Sequence, residues 1–132
     1  MGFKNLTIYH DAELVGVSSA TKSGELHLSF LLDDGANKRL FLSGCEFFRI
    51  IDYTSQNIVS RILILQGVSN DSAFIEERLL WAASLSDSPS FLSSERCGHL
   101  IREIAESKKL LFLLEPSAGA EVVAFCENIA EE

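Results

Sequence analysis

From Glu25 to Leu32 the chain alternates, with Leu26, Leu28, Phe30 and Leu32 on one side and Glu25, His27 and Ser29 on the other. A repeat of two belongs to an extended backbone and not to a helix, so this segment is a strand with one face on a core and one towards water. Such a strand needs partners for its backbone groups. The next residues supply one: Asp33-Asp34-Gly35-Ala36-Asn37 tolerate turn dihedrals, and Lys38 to Ser43 resumes in extended form, which predicts a hairpin.

The same reading extends to both sides. Leu6 and Ile8 alternate with Thr7 and Tyr9, and Glu13 to Val17 is again extended, as one bent strand or two. Gly44 marks a bulge or bend. Cys45 to Tyr53 holds Phe47, Phe48, Ile50 and Ile51, too continuous a run for one dry face, so cover on both sides is expected. Thr54-Ser55-Gln56-Asn57 is a turn, and the β-branched residues of Ile58 to Leu65 favour a further strand.

Past residue 66 the period changes. Asn70, Asp71 and Ser72 offer N-cap chemistry, and Phe74, Ile75, Leu79, Ala82 and Ala83 recur at helical spacing to about Leu85. After a Ser-rich loop with Pro89, Ser93 or Ser94 caps a second helix with the stripe Cys97, Leu100, Ile101, Ile104 and Ala105. Lys108 and Lys109 are placed in its last turn, where the dipole favours cations. Leu110 to Leu114, a turn over Glu115 to Ala120, and Glu121 to Cys126 predict a closing hairpin, with Glu131-Glu132 left to fray.

Strands, two helices and a hairpin lack the alternation of a parallel sheet. The expected fold is therefore α+β, a mainly antiparallel sheet of about six strands with two helices packed on one face. A chain of 132 residues that is 47% apolar fills one core, so residues 1–132 are read as a single domain. Met1 to Ala20 lacks the apolar block of a secretory signal, and the runs Ile62 to Leu65 and Leu110 to Leu114 fall far short of the ~20 residues that span a bilayer. These features point to a cytoplasmic protein without a membrane partner.

The net charge of −8 argues against a grip on nucleic acid, which takes clustered Lys and Arg. Residues 1–66 carry 7 acidic and 6 basic side chains, whereas residues 67–132 carry 12 and 5, so the excess lies in the second half. That field suits a basic protein partner, or simply keeps an apolar small protein in solution. The three cysteines, Cys45, Cys97 and Cys126, read as reduced structural thiols.

No complete catalytic or metal constellation emerges. Cys97 and His99 stand two apart on a helix and point about 200° away from each other, unsuited to one ion. Ser19-Ala20-Thr21-Lys22 fits the short Ser-x-x-Lys pattern but sits in a turn between strands, not at the helix start the chemistry uses. His10-Asp11 and His27 could supply a general base, yet neighbours on a strand face opposite ways and no nucleophile can be assigned to them. Asp33-Asp34 beside Gly35 is hairpin chemistry. No cofactor or metal is expected.

The segment Phe47 to Asn57 is the most informative. Arg49, Asp52, Tyr53, Gln56 and Asn57 interleave with a strongly apolar strand. In the structural reading Arg49 and Asp52 pair internally while Gln56-Asn57 braces the turn. In the recognition reading the five residues form a binding edge, since Tyr and Arg are enriched at hot spots. The succession Leu40-Phe41-Leu42-Ser43-Gly44-Cys45 to Phe48-Arg49, with Asp52-Tyr53 and Gln56-Asn57-Ile58-Val59, resembles the central stretch of small bacterial proteins, some grouped as immunity proteins of polymorphic toxin systems. The resemblance implies a non-catalytic cytoplasmic protein that sequesters a toxin, acidic where the toxin is basic. A protein-binding role is thus favoured over a small-molecule-binding module or a small hydrolase-like enzyme without a recognisable motif; homo-oligomerisation stays open.

Overall fold

The computed structural model describes residues 6–68, 71–85 and 88–132. Asn70 and the first five residues of the Met1 to Ala20 stretch lie outside them. The chain runs through β1 (Glu13–Ala20), β2 (Glu25–Leu31), β3 (Asn37–Ser43), β4 (Phe47–Ile51), β5 (Ile58–Leu65), α1 (Ser72–Ala82), α2 (Ser94–Ala105), β6 (Leu110–Ala118), β7 (Glu121–Cys126) and β8 (Asn128–Glu131). The class is α+β, and every strand pairing is antiparallel. The sheet holds eight strands, ordered β4-β7-β6-β5-β1-β2-β3-β8, where about six were expected.

The larger number follows from how the sheet closes. β3 runs into β4 across Gly44-Cys45-Glu46, and β7 runs into β8 across Glu127 alone. These two lines lie side by side, Leu40 opposite Glu131 at one end and Ile51 opposite Glu121 at the other. The ladder therefore returns on itself from β1 through β2, β3, β8, β7, β6 and β5 back to β1. Glu131 and Glu132, expected to fray, are held instead. Glu131 pairs with Leu40, and Arg39 and Glu132 exchange both backbone hydrogen bonds, at 3.0 and 2.9 Å.

Because side chains alternate across a strand, a curled sheet has an interior and an exterior. Leu14, Leu26, Leu28, Phe30, Leu40, Leu42, Phe112 and Val122 fill the interior. The alternate residues of β6 and β7, Leu111, Leu113, Val123 and Phe125, face outward and are covered by Ile75, Leu79, Cys97, Leu100 and Ile104 of the two helices. Both helices thus sit on one face, and the doubly apolar character of β6 and β7 is the mark of that second layer. Phe48 and Ile50 of β4 pack inward while Phe47 joins the helix side, so the two-sided cover expected there is present.

Four local expectations are corrected. Leu6–Tyr9 is a 3-10 turn and not a strand: with β1 and β5 aligned only at Glu13 and Ile58, the turn occupies the space beside them and buries Tyr9 completely. α1 ends at Ala82, short of Leu85. α2, capped by Ser93 Oγ on the Arg96 N–H, ends at Ala105, so Lys108 and Lys109 lie past its last turn and Arg102 is the cation within it. β6 carries on through Pro116 to Ala118, with pairing irregularities opposite Val59 that accommodate a residue without an N–H.

Candidate functional site

β4 pairs with β7 on one side, and among the described residues no strand pairs with its other side. Such an edge presents backbone donors and acceptors to any extended segment that comes alongside. Beside it lies a groove of about 310 Å³, formed by β4 together with Ala82, Ser84, Leu85 and Phe91. Leu85 and Phe91 are 73% and 66% exposed, and Tyr53, just past β4, is 48% exposed. Three large apolar or aromatic side chains thus stand in solvent on or just past the elements at this open edge, the kind of exposure that marks an interaction site. β1 also has an open edge beyond Glu13, but a bulge between Leu14 and Gly16 interrupts it and no described groove adjoins it; bulges of this kind discourage strand addition.

The five residues singled out in sequence divide between scaffold and surface. Arg49 stacks its guanidinium over the Trp81 ring at 4.4 Å and donates to Trp81 O at 3.1 Å and Ser84 Oγ at 2.9 Å. It thereby satisfies a carbonyl at the C-terminal end of α1, where the helix dipole favours a cation, and ties that helix to the edge strand. The expected Arg49–Asp52 pair is not formed among the described contacts. Asp52 is exposed, and its φ of 58° lets the chain turn out of β4.

Asn57 is 3% exposed and bonds on every side. Its Oδ1 accepts from Thr54 N at 2.8 Å and Ala120 N at 3.1 Å, while Nδ2 donates to Thr54 O at 2.8 Å and Leu14 O at 3.4 Å. One amide therefore joins β1, the β4–β5 turn and the β6–β7 turn. Gly119 answers this requirement, since a Cβ there would lie 2.4 Å from Asn57 Oδ1. Gln56 stays exposed beside it. Arg49 and Asn57 are scaffold, leaving Asp52, Tyr53 and Gln56 as surface. Leu85 and Phe91 were missed in sequence; their signal was large apolar residues inside a loop otherwise rich in Ser.

The other candidates take simpler roles. Cys97 is buried under the helices, where desolvation and then Glu76 push its thiol up, while His99 points to solvent near Glu103 at 3.8 Å. Ser19 and Lys22 are exposed on β1 and the following turn. Asp34 accepts from Ala36 N at 2.9 Å inside the expected hairpin turn. His27 packs edge-on against Phe41 and bonds Glu25 at 3.2 Å.

His10 and Asp11 correct the sequence reading. They lie on a turn and not on a strand, and their side chains approach to 3.6 Å. Through Nδ1 His10 also donates to Ser60 O at 2.9 Å, which with Asp11 holds its imidazolium above the ordinary histidine range. His10 borders a groove of about 510 Å³ between the 3-10 turn and β5, lined also by Leu6, Thr7, Ser60, Arg61, Ile62 and Leu63. Among the described residues no group of three or more His, Cys, Asp or Glu side chains is arranged for a metal ion.

No family model, curated protein or solved structure matches this chain. The functional reading therefore rests on the site alone. Among the described residues, no helix is long and apolar enough to cross a membrane.

Proposed function

We propose that this chain is a non-catalytic, cytoplasmic protein-binding domain that receives an extended segment of a basic partner along β4. The observation that carries the reading is the open β4 edge beside a groove lined by exposed Leu85 and Phe91, with exposed Tyr53 two residues past the strand. Backbone pairing along the edge supplies affinity, and the apolar side chains supply the desolvated anchors on which hot spots depend. The charge supports a basic partner. Glu76 and Glu77 stand exposed on α1, Asp52 is exposed at the end of β4, and the chain as a whole carries −8.

Neutralisation of a basic toxin, as an immunity-type protein would perform it, is the biological form of this reading that fits the acidic charge. The test is capture of partners from the native host with the wild-type chain and with Phe91→Asp. Because Phe91 is 66% exposed, the substitution should leave the thermal midpoint nearly unchanged and lower recovery of the specific partner at least tenfold. Equal recovery by both would remove the β4 groove from the interface.

A second reading, a small-molecule-binding module, is favoured by the largely apolar groove between the 3-10 turn and β5, with His10 and Arg61 among its lining residues. A fragment screen read by chemical shifts would place ligand contacts at Ile62 and Leu63 if that reading holds.

A further inference from the structure

The joint where β3 becomes β4 and the joint where β7 becomes β8 face each other, and each borders on a cysteine. Ser43 lies opposite Asn128 and Phe47 opposite Phe125, so three residues, Gly44 to Glu46, face two, Cys126 and Glu127. That bulge lets Cys45 pack against the same interior cluster to which Cys126 belongs. Gly44 takes φ 62° there, and Cys45 N donates to Gly24 O at 2.8 Å, which fixes the backbone at the corner. The two cysteines are thus neighbours across the joint, packed against one interior cluster. Both are free, Cys45 half-buried and Cys126 fully buried.

We propose that Cys45 and Cys126 form a peroxide-reactive dithiol, with Cys45 the attacking sulfur and Cys126 the resolving one. Accessibility assigns the roles, since only Cys45 is open to a small oxidant. The proximity also polarises the pair: Cys126 draws the Cys45 thiol down, while Cys45 and then burial push the Cys126 thiol up. A thiolate of lowered pKa beside a second thiol is the arrangement on which reversible oxidation depends.

The chemistry balances with hydrogen peroxide as oxidant. The Cys45 thiolate attacks one peroxide oxygen; an S–O bond forms, the O–O bond breaks, and the departing hydroxide takes up a proton as water. Cys126 then attacks Cys45 Sγ, its proton passing to the leaving hydroxide, and an S–S bond replaces the S–O bond. Two thiols and one peroxide give one disulfide and two waters. Cys97 takes no part, because it lies in the separate cluster under the helices, across the sheet from the interior.

The experiment treats the reduced, folded chain with one equivalent of hydrogen peroxide, then alkylates the remaining thiols in denaturant and maps the peptides without reduction. The expected result is a fall from three alkylatable thiols to one, Cys97, with Cys45 and Cys126 peptides linked within one chain and released by a dithiol reductant. In Cys126→Ala, peroxide should instead leave Cys45 as a sulfenic acid that dimedone traps. The wild-type mapping stands alone if that variant does not fold. Retention of all three thiols, a link that includes Cys97, a link between chains, or Cys45 carried to the sulfinic acid while Cys126 stays alkylatable would each overturn the assignment.

Discussion

Tyr9 joins the two ends of the described chain. Its ring is fully buried and meets Phe30 edge-on at 5.0 Å, and its hydroxyl donates to the Glu131 carboxylate. Burial, and then Glu131, push the phenol far above its ordinary value, so it ionises only when the chain unfolds. The folded form binds this proton more tightly than the unfolded one, so the stabilisation is intact below the unfolded value of about 10 and is lost as pH rises beyond it. Tyr9→Phe should cost about 1 kcal/mol at neutral pH, since exposed Glu131 recovers water. Urea melts at pH 9 and pH 11 should show wild type losing more stability across that interval than the variant. Asn57 is the opposite case, because its loss strands buried backbone groups at three points of the fold. Asn57→Ala should cost about 3 kcal/mol by denaturant unfolding. Gln56→Ala, at an exposed neighbour, should stay within about 0.5 kcal/mol. Adjacent amides in one polar run look alike in sequence; what separates them is the approach of Leu14 and Ala120 from distant segments.

Among the elements, β2 and α2 were legible because each carries its evidence within itself. Leu26, Leu28 and Phe30 are buried as their alternation requires, and Ser93 caps α2 ahead of the stripe Cys97, Leu100 and Ile104. Leu28→Asp should therefore abolish cooperative folding, since it places a charge in the interior, whereas His27→Asp, half-exposed beside Phe41, should cost about 1 kcal/mol or less. Circular dichroism melts of the pair decide it, and equal tolerance would refute the register. The elements misread were those whose form depends on remote partners. Leu6–Tyr9 has a strand's alternation but no strand beside it, and it turns inward to bury Tyr9. Glu131-Glu132 reads as an acidic end left to fray, yet Asn128–Glu131 is a strand because β3 offers an open side.

At the scale of the whole molecule, closure of the sheet decides which surface is left over. Among the described residues, every strand but β4, β8 and β1 is paired along much of its length on both sides or flanked by the 3-10 turn; β8 also borders a groove, but large exposed apolar side chains line the one beside β4. Sequence indicated the neighbourhood through Tyr53 and the polar residues around it, but not the contribution of Leu85 and Phe91, which come from a loop more than thirty residues away and reach β4 only through α1. The −8 charge acts on encounter more than on the bound state, so association with a basic partner should slow as salt rises while dissociation changes little. Hydrogen exchange of the free chain and of its complex with the captured partner tests the central claim most directly. Binding along β4 predicts that amides within Phe47–Ile51 gain protection, together with those of Leu85 and Phe91. Protection confined to β1 or to the groove beside His10, with β4 unchanged, would contradict it.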